Sequence, residues 1–94
     1  MSPHVQSWLT HLEKQGKSPH TLAAYRRALA HFTRWNTRFS PTFNPAAIIP
    51  RDVQDWKAYQ QTIEKAAPGT INQRQAALSR FFAGVVAAGL TAGD

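Results

Sequence analysis

The stretch SPHTLAAYRRALAHF, residues 18–32, decides the fold class of this 94-residue chain. Ser18 followed by Pro19 is typical of a helix start, because Ser caps the free N–H groups and Pro fits the first helical position. Behind them, apolar side chains recur at spacings of three, four and three residues, which is one face of an α-helix. These are Leu22, Tyr25, Leu29 and Phe32. The opposite face of the predicted helix is basic and carries His20, Arg27, His31 and Arg34.

Three further segments are also delimited by Pro and Gly. The first opens at Ser2–Pro3 and ends at Gly16, where a Gly after the last turn is the usual stop. Another begins at Pro50, and the last begins at Gly69. We therefore expect helices at about 3–15, 19–36, 50–65 and 69–88. Because no strand-like alternation occurs, the sequence predicts an all-α fold of four helices.

The segment from Thr37 to Pro50 contains three prolines and has no helical period. We predict a long ordered loop there. A loop of this length is unusual in a small domain unless its side chains anchor it to the core. The predicted anchors are Phe39, Phe43, Ile48 and Ile49.

The apolar stripes of the four helices define one predicted core. Trp8 represents the first helix in it, and the third contributes Val53, Trp56, Tyr59 and Ile63 as a stripe. Trp35 lies off the main stripe of its helix, so its location is the hardest to assign. The residues expected to be buried together are Trp8, Leu22, Tyr25, Leu29, Phe32, Val53, Trp56, Leu78, Phe81 and Val85.

Composition restricts the possible function classes. The length allows one domain, here residues 1–94, and the apolar fraction of 43% is enough for one core. There is no Cys, and neither a signal peptide nor a membrane-spanning stretch is apparent, so we expect a cytoplasmic protein. The net charge of +6 favours a polyanionic partner such as nucleic acid or an anionic membrane surface.

No residue pattern points to an enzyme. Asp52 and Asp55 could form a carboxylate pair, but at the start of a helix they are better explained as charges that favour its positive end. The histidines lack the spacing that binds zinc from one helix face, and no Ser stands in a nucleophile motif. The sequence therefore predicts no catalytic residue, no cofactor and no metal site.

The second and fourth helices carry side chains suited to DNA. The fourth opens with Gly69–Thr70 and presents Asn72, Gln73 and Arg80 on its polar face. Residues of these types contact phosphates and base edges, and helix N-termini favour phosphate groups. The same residues are also typical of an ordinary solvated face. Both interpretations stay open on the pattern alone.

Three segments, in order, resemble one protein family. Residues 18–32 resemble the S-x-x-T-x-x-x-Y-x-x-x-L-x-x-F opening of phage integrases and Xer-type recombinases. Residues 70–82, TINQRQAALSRFF, resemble their T-I-N-x-R-x-x-A-L-x-x-F-F helix. Residues 50–56 resemble the helix that lies between these two segments in the family. Gly89–Leu90 resembles the usual ending of the domain. The chain is therefore similar to the N-terminal core-binding domain of tyrosine recombinases.

This resemblance implies a fold, a partner, and separate domains for DNA clamping and DNA cleavage. The fold would be a SAM-like bundle of four orthogonally packed helices that clamps double-stranded DNA with its second and fourth helices. A separate C-terminal domain with the nucleophilic Tyr would hold the other side of the duplex, so this chain by itself would not cleave DNA. Sister recombinase protomers would be partners on DNA, while the isolated domain would be monomeric, with no membrane partner.

The implied DNA-binding residues fall on those two helices. On the second, the matching positions are His20, Thr21, Ala24 and Arg27, and the basic face adds Arg34. On the fourth they are Gly69, Thr70, Gln73, Arg74 and Arg80. Arg74 lies toward the apolar side of its helix, so support of the fold is a second role for it.

Two other functions compete with DNA recombination. A helix-turn-helix transcriptional regulator would also bind DNA, but the long loop between the second and third helices does not suit that motif. The other is a protein-interaction bundle that uses its positive charge only for solubility. Salt-dependent DNA binding separates this bundle from both DNA-binding functions.

Overall fold

The computed structural model describes residues 3–38 and 43–87. It contains four α-helices: α1 (Pro3–Lys14), α2 (Pro19–Asn36), α3 (Pro50–Thr62) and α4 (Pro68–Ala87). One 3-10 turn, Pro45–Ala47, precedes α3, and the described residues form no strand. The predicted all-α, four-helix fold is therefore confirmed.

The helix ends follow the local chemistry of the sequence. The Ser18 hydroxyl accepts a hydrogen bond from the Thr21 N–H at 3.2 Å, which caps α2. At the end of α1, Gly16 has a φ of 87°, and the Lys17 N–H reaches back to the Leu12 carbonyl. This is the usual glycine-dependent helix stop. At α3, the Asp52 carboxylate accepts the N–H of Ile49 at 2.9 Å.

The third helix ends three residues before the predicted end at residue 65. The chain turns at Lys65, which has a φ of 53°, and the Ala66 N–H bonds to the Gln60 carbonyl. Ile63 therefore lies beyond the last helical turn and is 71% exposed. Its assignment to the apolar stripe of α3 is wrong, because that stripe holds only as long as the helix continues.

One core lies where the four helices meet. Its fully buried centre is Trp56, Phe32 and Phe81, and the predicted Trp8, Leu29, Leu78 and Val85 are buried with them. Leu22, Tyr25 and Val53 are only partly buried at its edge. Trp35 is 8% exposed and belongs to this core.

The loop before α3 is anchored at two of the three predicted positions that the structure describes. Phe43 and Ile48 pack against the core, and the Phe43 ring lies edge-on to Phe32 with centroids 6.0 Å apart. Ile49 is 55% exposed, so its predicted burial is wrong: it is the N-cap of α3, and only its backbone is bonded. Phe39 and the predicted Gly89–Leu90 ending lie outside the described residues.

Candidate nucleic-acid interface

An open groove lies between α2 and α4, the two helices predicted to carry the binding residues. Its volume is about 780 Å³. The side of α2 from His20 to Arg34 forms one wall, and the side of α4 from Thr70 to Arg80 forms the other. The packing of these two helices therefore gathers distant parts of the sequence into one concave surface.

Nine of the ten predicted DNA-binding residues line this groove. Gly69 is the exception: it is exposed at the second position of α4 and is not part of the lining. Their contact with DNA stays a prediction, but the nine form one surface. They are His20, Thr21, Ala24, Arg27, Arg34, Thr70, Gln73, Arg74 and Arg80.

The groove concentrates the arginines of the chain. Five of its seven arginines line the groove, and none of its four lysines does. Arg26, Arg27, Arg34 and Arg80 are exposed to solvent, and only Arg74 is partly buried. Among the described residues that line the groove there is no Asp or Glu. The surface is thus strongly cationic and built from the side chain whose planar fork matches phosphate oxygens.

Both helices also bring their first turn to this groove. His20 and Thr21 are the second and third residues of α2, and Thr70 is the third residue of α4. The N–H groups at helix N-termini and the positive end of the helix dipole favour anions. The backbone therefore adds to the positive potential of the arginine side chains.

Arg80 and Tyr25 form a contact across the groove. The Arg80 guanidinium donates a hydrogen bond to the Tyr25 hydroxyl oxygen, and its central carbon lies 5.9 Å from the centre of the Tyr25 ring. The Tyr25 ring also packs against Trp8 of α1, with ring centroids 5.3 Å apart. Tyr25 thus connects the core to the groove.

A second polar network lies where α2, α3 and α4 meet. The Trp56 indole N–H donates to His31 Nδ1 at 3.0 Å, so this nitrogen must be unprotonated. The ring proton is then on Nε2, which lies 2.8 and 2.9 Å from the two carboxylate oxygens of Glu64. The His31 imidazole therefore bridges the indole of Trp56 and the carboxylate of Glu64.

Arg74 extends this network into α4. Its guanidinium donates to the Gln60 side-chain oxygen at 3.2 Å and lies 3.4 Å from a Glu64 carboxylate oxygen. Gln60 is completely buried, and its amide nitrogen also bonds to Gln75 at 3.3 Å. The supporting role suggested by the helical position of Arg74 is consistent with these contacts. Its charge is largely balanced by Glu64, unlike the charges of the exposed arginines.

Sequence reasoning missed several groove residues, Tyr25 and Arg26 among them. Tyr25 was assigned to the core, yet it is only partly buried and its hydroxyl reaches the groove. The amphipathic nature of a tyrosine beside the small residue Ala24 is the signal that could have shown this. Arg26 was passed over because its backbone position lies between the two faces of α2. Asn72, by contrast, is exposed but does not line the groove.

A metal-binding cluster and a membrane-spanning helix are both absent from residues 3–38 and 43–87. No group of three or more His, Asp or Glu side chains in this part of the chain is arranged to hold a metal ion. Nor does any helix formed by these residues have the length and apolar character needed to cross a membrane.

Comparison with known families agrees with this geometry. Residues 5–91 match the family model described as the N-terminal SAM-like domain of phage integrase. The chain belongs to this family. The match extends from the first turn of α1 to beyond the end of α4, so it includes the whole groove of this phage-integrase SAM-like domain. Comparisons with curated proteins and with solved structures found no significant match.

Proposed function

We propose that this phage-integrase SAM-like domain binds double-stranded DNA in the groove between α2 and α4, as the DNA-clamping part of a tyrosine site-specific recombinase. The observation that carries the proposal is the gathering of five arginines, four of them exposed, with no carboxylate among the described lining residues. The phosphates of a duplex form a dense array of negative charge, and neutralising them releases condensed counterions. Counterion release favours binding of a duplex to a cationic groove whatever the base sequence of the DNA.

The lining residues fall into groups with different roles in this proposal. Arg27, Arg34 and Arg80 are exposed cations and contact backbone phosphates. Gln73, on the α4 wall of the groove, contacts a base edge. Ala24 and Ala76 have minimal side chains, so they allow the duplex to approach the helices closely.

In this proposal Arg74 supports the wall of the groove instead of binding phosphate. Its guanidinium is already occupied by Gln60 and Glu64. Withdrawing it for a phosphate would leave the buried Gln60 oxygen without this donor, and an unpaired buried polar atom is costly. Sequence reasoning placed Arg74 among the DNA-binding residues, and the proposal reassigns it.

Strand cleavage is assigned to residues outside these 94. In the proposed parent recombinase, a catalytic domain with the nucleophilic Tyr closes the clamp from the other side of the duplex, and sister protomers assemble on the same DNA. Neither Tyr25 nor Tyr59 acts as a nucleophile in this proposal. A covalent protein–DNA adduct at either residue, trapped with a suicide substrate, would contradict it.

The decisive experiment is a titration of a fluorescent duplex at several salt concentrations, with NMR shift mapping on the same duplex. We expect weak binding that falls steeply with salt, and shifts confined to groove residues of α2 and α4. Arg51→Ala is the matched control, because Arg51 is an exposed arginine on α3 outside the groove. Removing its charge should change affinity far less than removing that of Arg27.

Other outcomes would identify the competing functions. Absence of DNA binding even at low salt would favour the protein-interaction bundle, the alternative function that does not involve DNA. Shifts centred on α1 and α3 would mean that DNA is held by a different face. NMR shifts in α4 alone, with none in α2, would favour a transcriptional regulator, in which one recognition helix enters the major groove.

A further inference from the structure

The contact between Tyr25 and Arg80 indicates how the groove holds one phosphate, an inference that rests on the proposed function. Arg80 is exposed and lies on the fourth helix, whereas Tyr25 is partly buried on the second. Exposed arginines usually sample many side-chain rotamers, and ordering one of them on DNA costs conformational entropy. Here the guanidinium is bonded to a phenol oxygen before any ligand arrives. We propose that Tyr25 and Arg80 act as one unit that binds a single DNA backbone phosphate, with Tyr25 holding the Arg80 guanidinium in position.

Tyr25 is suited to this task because it is itself held firmly. Its ring packs against Trp8, with centroids 5.3 Å apart, and Trp8 in turn meets the fully buried Phe81 edge-on at 5.5 Å. The position of the hydroxyl is therefore determined by the core and not by a mobile side chain. Arg80 is only one residue from Phe81 on α4, so both ends of the contact are attached to the same packed cluster.

Arg80 and Tyr25 keep hydrogen-bond donors that their mutual contact does not use, so the pair can bind an anion. A guanidinium has five N–H donors, and the bond to Tyr25 uses one nitrogen, Nη1. The phenol oxygen acts as the acceptor in that bond and keeps its own proton for donation. Two donors of different kinds, one charged and one neutral, thus face the same groove. Together they can donate to two oxygens of one phosphate.

The pairing also separates Arg80 from the other groove arginines. Arg74 is paired with a carboxylate, which balances its charge. Tyr25 orients Arg80 without neutralising it, because a phenol is uncharged. Arg80 therefore keeps its full electrostatic attraction for phosphate while losing less freedom on binding than an unrestrained arginine would.

The test is a double-mutant cycle on DNA affinity in the full 94-residue chain, with Tyr25→Phe, Arg80→Ala and the double variant. Loss of one charge-assisted contact predicts that Arg80→Ala weakens binding about tenfold. Tyr25→Phe keeps the ring and its packing, and we expect it to weaken binding several-fold. In the Arg80→Ala background the same change should have almost no effect, because the guanidinium that it positions is gone.

Two controls distinguish positioning from general damage. Tyr59→Phe removes the hydroxyl of the chain's other tyrosine, which is not part of the groove lining, and should leave affinity unchanged. Thermal unfolding of Tyr25→Phe should stay close to that of the wild type. Arg80→Lys should restore only part of the affinity, because an ammonium lacks the planar fork of a guanidinium.

The outcomes are separable. If the wild type binds DNA and the effects of Tyr25→Phe and Arg80→Ala are simply multiplicative, the two residues act independently and the inference is wrong, while the proposed function stands. If the wild type binds no DNA at low salt, the proposed function fails and this inference with it.

Discussion

The indole ring of Trp8 in α1 lies directly against the backbone of Gly84 in α4. A Cβ atom placed on Gly84 would come within 2.7 Å of the Trp8 indole nitrogen and 2.8 Å of its neighbouring ring carbon. Non-bonded carbon and nitrogen atoms do not approach so closely without displacement. The contact between the first and fourth helices therefore depends on the absence of a side chain at position 84.

Gly84→Ala should destabilise the fold, although Ala is the better helix former by about 1 kcal/mol. The Trp8 ring cannot move aside easily, because Tyr25 and Phe81 pack against it. Overpacking typically costs about 1–3 kcal/mol, and subtracting the gain in helix propensity leaves a net loss of up to about 2 kcal/mol, measured by chemical denaturation. Gly69→Ala is the control: nothing lies within 4 Å of the added Cβ, and stability should be equal or higher. Equal stability of Gly84→Ala and the wild type would contradict the prediction.

Truncation of the core should have larger effects. Leu29 is 1% exposed and Phe81 is completely buried, so Leu29→Ala and Phe81→Ala each leave a cavity. We expect each to lower the free energy of unfolding by about 2–5 kcal/mol, measured by denaturation followed by circular dichroism. Leu22→Ala, at a partly buried position, should cost less than Leu29→Ala on the same helix. A reversed order would mean that the core is centred elsewhere.

Much of the fold could be predicted because its signals are local. The Ser18–Pro19 start and the Gly16 stop depend on neighbouring residues, and the structure confirms both. The stripe from Leu22 to Phe32 faces the core because helical spacing fixes which side chains share a face.

The sequence does not predict burial correctly where contacts between helices determine it. Ile63 is exposed because α3 ends at Thr62, and no strong stop signal stands at that point in the sequence. Trp35 is buried although it lies off the stripe of α2, because Tyr59 from α3 packs near it at 6.3 Å between centroids.

The same distinction applies to the candidate site. Residue type and helical position predicted nine groove residues, but not their partners. The pairing of His31 with Glu64 joins residues far apart in sequence, as does that of Tyr25 with Arg80. No periodicity within one helix contains such information.

His31 should matter for stability because it accepts the indole N–H of Trp56. Trp56 is completely buried, so His31→Ala leaves that donor without its partner. The cost of an unsatisfied buried donor is about 1–3 kcal/mol. The measurement is thermal unfolding, together with the NMR shift of the Trp56 indole proton, which should move. His11→Ala, at an exposed position on α1, should leave both unchanged.

Arg74 and Arg27 should give opposite results when each is replaced by Ala. Arg74→Ala removes a donor from the buried Gln60, so it should cost about 1–2 kcal/mol of stability. Arg27 is exposed, so its loss should change stability by no more than about 0.5 kcal/mol. In the DNA titration, Arg27→Ala should lower the salt slope by about one, as expected for one lost phosphate contact. If Arg74→Ala is fully stable and lowers the slope by the same amount, Arg74 binds phosphate after all.

Gln73 should affect which DNA is bound more than how tightly DNA is bound. It is exposed on α4, lines the groove and follows one residue after Asn72, which does not line it. A side-chain amide can form two hydrogen bonds to the edge of adenine, which discriminates against the wrong base by about 1–3 kcal/mol. The measurement compares the affinity for a site selected from a random duplex library with that for unrelated duplex. Gln73→Ala should reduce this ratio while leaving the salt slope intact, because no charge is lost. Asn72→Ala removes an equivalent amide just outside the groove and should leave the ratio unchanged. An equal loss for both variants would mean that α4 lies on the DNA in a different orientation from the one proposed.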